Sequence, residues 1–256
     1  MYQTCPKCGY QRQASDIIPE SQCPACGLIF SRWLKQRFRS PESSSPKSRN
    51  SKTDALLGQL KERVLYVESP VSHSGFYGRL LLFVCFAFWG FWFIQTDYSQ
   101  LTGGLPEING SFMHLVDLIF HEAGHILFIP FGQFMTILGG SLAQLMMPMA
   151  VIGVFLLQQR DTFGASIGLW WLGQSVMDLA PYINDARAGE LLLLGGTTGR
   201  DNPGHHDWRN ILGDLGLLEY DHLIAGGVNF MGEALILLSL VWGGNILYRQ
   251  YQNLAR

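Results

Sequence analysis

Two groups of residues in this sequence have the types and the spacing to hold a metal ion. The first is His121-Glu122-Ala123-Gly124-His125. Residues four apart lie on one face of an α-helix, one turn above another. His121 and His125 can therefore reach a single zinc ion, while Glu122 falls beside it, where a carboxylate serves as general base. The second group is Cys5, Cys8, Cys23 and Cys26, two CPxCG turns separated by 14 residues. Two such turns supply four thiolates in a tetrahedron, a closed set with no position left for a water, so this zinc is expected to be structural. A segment of roughly 30 residues buries too little core to fold alone, and the metal would supply the folding energy.

The histidine pair sits in an apolar stretch, SFMHLVDLIFHEAGHILFIPFG. Ionisable groups in a membrane span cost roughly 2.5–3.5 kcal/mol each on insertion scales, so they are expected to face a cavity or a metal. His114 and Asp117 extend the same stripe. Asp117, one turn before His121, is placed to accept its second ring N–H, with His114 as a lining residue. A catalytic zinc has three protein ligands and one water. The stretch WWLGQSVMDLAPYINDARAG puts Gln174, Asp178, Pro181 and Asp185 on one helical face. Asp178 and Asp185 are about 10.5 Å apart along an unbroken helix, so only one of them is expected to bind the ion. Pro181 is expected to break or bend that helix. His205, His206 and Asp207 offer another source of a ligand, from a loop. Gly139, Gly140 and Ser141, with Gln144 one turn on, read as a close-packing site between helices.

The elements that must position these groups follow from composition. Of the 256 residues, 48% are hydrophobic and only 15% charged, which favours a membrane protein. The net charge of −2 gives no nucleic-acid signature. Residues 1–79 carry 12 of the 18 Lys and Arg, which places the N-terminus in the cytosol by the positive-inside rule. Cysteine pairs in a reducing compartment point to metal rather than disulfides. Apolar runs at 80–95, 112–131, 134–157, 163–183 and 224–248 read as spans, with LLLLGG at 191–196 as a half-helix that would change the count. Residues 40–53 are a Ser/Pro/Lys linker and 54–68 a short amphipathic helix. Asp207 is expected to cap a short helix showing Trp208, Ile211, Leu212 and Leu215 on one face. The expected fold is an all-α multi-pass membrane protein of about five transmembrane helices with a small N-terminal zinc ribbon. It is divided into residues 1–39 (ribbon), 40–78 (linker and amphipathic helix) and 79–256 (transmembrane domain).

The pairing of HEAGH in one span with an Asp beside a Pro in a later one resembles the intramembrane zinc metalloproteases of the site-2 protease family. Asp178-Leu-Ala-Pro181 stands where that family has N-x-x-P, and Asn184-Asp185-Ala186 where it has L-D-G. The resemblance covers roughly residues 112–190. It implies Asp185 as third zinc ligand and Asp178 in the place of a substrate-positioning Asn, the choice between them staying open. It implies two zinc ions, one catalytic and one structural, and hydrolysis of peptide bonds in membrane-protein substrates within the bilayer. The alternative expectation is a non-proteolytic, membrane-anchored adaptor whose ribbon binds a cytosolic partner and whose buried metal site is structural or vestigial. Nucleic acid is not an expected partner.

Overall fold

The computed structural model describes residues 3–37, 58–59, 61–68, 70–102 and 105–254. The linker expected at 40–53 and the start of the amphipathic helix expected from Asp54 lie outside them. Residues 61–64 are helical and the helix ends at Leu65. The chain forms two compact units, Met1–Leu57 and Gly58–Arg256, and 69% of the described residues are helical.

The first unit is organised by its two cysteine turns. Gly9 N–H bonds the Cys5 carbonyl and Gly27 N–H the Cys23 carbonyl. Both glycines have positive φ, 72° and 69°, a conformation that closes each turn without a Cβ penalty. Paired bridges, Thr4 with Gln11 and Gln22 with Ile29, flank the two turns alike. Its small core consists of Cys5, Cys23 and Phe30, with Tyr10 and Leu28 against them. Helix α1, Phe30–Arg37, follows.

The second unit is built on long helices. Ser72 caps α2, His73–Gln95. A two-residue hairpin, β1 (Leu101–Thr102) with β2 (Leu105–Pro106), leads into α3, Phe112–Phe128, capped by Ser111. Helix α4, Gln133–Val154, ends in a π-type turn at Phe155–Gln159. Asp161 caps α5, Thr162–Asn184. A loop then reaches α6, Asp207–Asp214, and α7, Asp221–Gln252.

Helix α5 is the centre. Its most extensive packing is against α7, and it also meets α2, α3 and α4. A Cβ on Gly173 would lie 2.8 Å from the Ile236 backbone nitrogen, so the α5 and α7 backbones are in direct contact there. Trp170, fully buried on α5, is ringed by Phe86, Trp89 and Phe93 of α2 at centroid distances of 4.8–5.9 Å, which fixes α2 to the centre.

Among the described residues, four helical segments are long and apolar enough to cross a membrane: His73–Gln95, Phe112–Phe131, Gln133–Gln159 and Leu218–Gln252. Helix α5 falls at the remaining expected span and differs for a physical reason. It is buried along most of its length, so protein surrounds it and it tolerates Gln174, Ser175 and Asp178. The outer faces behave oppositely. On α3, Phe112, Ile119 and Ile126 form a stripe 68–72% exposed, while Asp117, His121 and Gly124 are buried. A helix that turns its polar side inward and its apolar side outward fits a membrane protein.

Two local expectations are corrected. Helix α5 runs on through Pro181 to Asn184 rather than ending at the proline, one hydrogen bond being forgone inside a well-packed helix. Residues 191–196 form a bridged turn, Leu192 with Thr198, not a half-helix; Gly195 and Gly196 there take positive φ.

Candidate metal centres

In the first unit the four sulfurs of Cys5, Cys8, Cys23 and Cys26 lie within 4.8 Å of one another. Cys5 Sγ is 3.8 Å from Cys26 Sγ, and Cys8 Sγ 3.7 Å from Cys23 Sγ. A tetrahedron with Zn–S bonds of about 2.3 Å has edges of about 3.8 Å, so the donor set fits zinc. The thiols titrate unevenly. Burial works to raise Cys5, but backbone N–H groups of Cys8 and Lys7 and the neighbouring thiols bring it down to about 6. Cys8 is helped by the Tyr10 backbone N–H, yet Cys26 and the other thiols push it up to about 12. Four like charges cannot gather unaided, and a divalent cation removes the conflict.

In the second unit the ligand atoms of His121, Glu122 and His125 also lie within 4.8 Å of one another. Each imidazole has its far nitrogen fixed. His125 Nδ1 is 2.9 Å from the Thr136 carbonyl, which can only accept, so Nδ1 carries the proton. His121 Nδ1 is 3.0 Å from Gln144 Oε1. The orientation of that amide is set by chemistry: Gln144 Nε2 faces two acceptors, the Ser175 carbonyl at 3.2 Å and Asp178 Oδ2 at 3.2 Å. Turning it over would set oxygen against oxygen twice. Hence Oε1 accepts from His121 Nδ1–H, and both histidines present an Nε2 lone pair.

Those two lone pairs meet at Asp207. Its Oδ2 is 3.1 Å from His121 Nε2 and 3.3 Å from His125 Nε2. For bonds of 2.0–2.1 Å the edge of a zinc tetrahedron is about 3.3 Å. A carboxylate oxygen held against two imidazole lone pairs is a contact among acceptors, which a cation between them satisfies. Two imidazole lone pairs and a carboxylate oxygen converging at these distances fit a divalent cation with an open fourth position. Space is made for the rings by Gly140 of α4, where a Cβ would stand 2.6 Å from His121 Nε2 and 2.7 Å from His125 Cε1.

The structure places the other candidate residues elsewhere. Asp185 does not meet the histidine pair. Its Oδ1 accepts the Glu190 N–H and its Oδ2 the Leu191 N–H, and Oδ2 lies 3.3 Å from His206 Nε2. His206 is fully buried, and its Nδ1 accepts the Arg209 N–H, capping α6 in place of Asp207. Nε2 must then carry the proton and donate to Asp185. This chain pins the loop at both ends and frees the Asp207 carboxylate to point at the histidines. Tyr182 assists, its hydroxyl accepting the Asp207 N–H at 2.8 Å and its ring lying 4.5 Å from that of His206.

Asp178 faces His114, whose Nδ1 is 3.0 Å from both carboxylate oxygens, and it accepts from Asn109 Nδ2 at 2.9 Å and from Gln144. Asp117 is fully buried and accepts from Trp171 Nε1 and Ser175 Oγ, both at 2.8 Å. Gln144, not Asp117, is the partner of His121 Nδ1.

A cavity of about 670 Å³ joins these groups. Its wall includes His114, Asp178, Gln144 and the His121–Glu122–His125 cluster, with Leu191–Gly195 and Asp207 contributed by the loop. Sequence alone offers Asp207 as a helix cap or as one member of a loop cluster, and Gln144 as a packing neighbour. Asn109, Thr136 and Tyr182 carried no sequence signal, because a carbonyl, an amide and a phenol gain their roles only from what stands opposite. No protein-family model, curated protein or solved structure matches this chain.

Proposed function

We propose that the chain is an intramembrane zinc metalloprotease acting on membrane-protein substrates, anchored by its apolar helices, with a cytosolic N-terminal zinc ribbon. His121, His125 and Asp207 are the ligands of the catalytic ion and Glu122 is the general base. The observation that carries this reading is the meeting of two oriented Nε2 lone pairs at one carboxylate oxygen beside Glu122, in a cavity between helices whose outer faces are apolar. Three protein ligands with one position open is the pattern of a catalytic rather than a structural zinc site. The four-cysteine set has no such position.

Zinc, when bound there, supplies a Lewis acid that polarises the scissile carbonyl and acidifies a water. Glu122 takes the proton of that water as it attacks and returns it to the departing amine, so the proton balance closes on one carboxylate. Gln144 and the Thr136 carbonyl keep both imidazoles in the tautomer that offers Nε2. The apolar wall Leu191–Leu194 limits water to the polar side of the cavity. A helical substrate segment must unwind to enter, because its amides are otherwise internally bonded.

The test is Glu122→Gln in the full-length protein, with a membrane protein cleaved by the wild type as reporter. Retention of two zinc ions per chain with loss of cleavage by at least about 100-fold fits a general base. Cleavage at the wild-type rate with Glu122→Gln would sink the protease reading.

A further inference from the structure

A carboxylate stands two bonds behind the metal site and touches no candidate ligand. Asp178 is 5% exposed, yet it is not an isolated charge: His114, Asn109 and Gln144 all present N–H groups to it. Gln144, 2% exposed, uses both ends of its amide, receiving the His121 Nδ1–H on Oε1 and donating from Nε2 towards Asp178 Oδ2. The result is an unbroken run of carboxylate, amide, imidazole and metal position that passes from α5 through α4 to α3.

From this we infer that Asp178 and Gln144 are positioning residues for the metal, a relay through which the charge of Asp178 strengthens His121 as a ligand. The inference rests on the reading of His121, His125 and Asp207 as a zinc site, though not on proteolysis. A carboxylate drawing on the Gln144 N–H polarises the amide and makes its oxygen a better acceptor. The better acceptor pulls on the His121 Nδ1–H, and the opposite nitrogen becomes more electron-rich. The same bonds hold the ring in the plane that aims Nε2 at Asp207. A direct carboxylate–imidazole contact would do this with a charge against the ring; here the amide carries the effect over one further link. It also explains why an ionised group is retained at a buried place, and why Asp178 is occupied by three donors rather than free to bind the ion itself.

The experiment measures zinc affinity in full-length protein by chelator competition, with the four-cysteine site as internal reference. Asp178→Asn is expected to weaken the second zinc by about ten-fold or more, in the range found for partners of metal-bound histidines, and to leave the ribbon zinc unchanged. Gln144→Glu moves a carboxylate onto His121 directly. In that background Asp178→Asn is expected to cost less than about two-fold, a rescue that a purely structural role for Asp178 would not produce. An affinity for Asp178→Asn within two-fold of wild type, or an equal loss in both backgrounds, overturns the relay while the metal site stands. Wild-type protein that binds only the ribbon zinc overturns the metal reading and the relay with it.

Discussion

At the scale of the residue, the site is decided by which nitrogen of each histidine is free. The sequence shows that His121 and His125 share a helix face, but tautomers depend on groups brought in from α4, namely the Thr136 carbonyl and Gln144. The proposed third ligand is similarly hidden. Asp207 lies 86 positions after His121, next to two histidines that draw attention from it. Asp185 and Asp178 looked better placed because they lie on a helix beside a proline, and helix-face arithmetic cannot see that a buried His206 has already claimed Asp185. Gly140 belongs at this scale too. Its replacement by alanine puts a methyl group where the two rings stand, so Gly140→Ala is expected to lower zinc affinity of the second site by at least about ten-fold, the cost typical of disturbing what orients a ligand. Equilibrium dialysis against zinc buffers, with circular dichroism to verify that helicity is unchanged, measures it.

At the scale of the element, the helices were legible and their surroundings were not. Every expected span contains a helix, since runs of apolar residues without breakers leave little else for the backbone to do. What the pattern could not tell is that α5 is walled in by protein, because a helix facing other helices and one facing lipid are both apolar. The short α6 shows a finer limit. Its expected cap was Asp207, by residue type, whereas His206 provides it one position earlier. That single-residue shift leaves the Asp207 carboxylate free to face His121 and His125. His206→Ala is therefore expected to do two things. It should destabilise the second unit by about 1–2 kcal/mol through the lost cap. It should also weaken the second zinc, because the loop is no longer tied to Asp185. A thermal-melt series at fixed zinc concentrations separates the two, since the first effect persists in excess chelator and the second does not.

At the scale of the whole molecule, two candidate metal centres occupy two units. The ribbon was readable from spacing alone, because four cysteines in two matched turns have few other ways to satisfy one another. Its zinc affinity has a pH dependence whose sign follows from the thiols. Binding requires thiolates, so protons are released and affinity rises with pH. Cys8, pushed up to about 12, must give up its proton to the metal at any ordinary pH, while Cys5 does so only below about 6. The ribbon's affinity is therefore expected to fall on acidification and to fall more steeply below about pH 6. Zinc titrations of the full-length protein from pH 5 to 8, followed by proton release in weak buffer, check it. A flat profile would contradict this picture of the thiols.

The proposed role of Asp207 as a ligand also has a mechanical side. Two of the three donors are on α3 and the third arrives at the end of a loop that forms one wall of the cavity. An ion gripped by all three staples that wall to α3. If the ion leaves, that staple opens, and the loop keeps its own bridge of Leu192 with Thr198 and the bond from the Leu191 N–H to Asp185. The same cation would thus perform the chemistry and latch the doorway through which its substrate has to come.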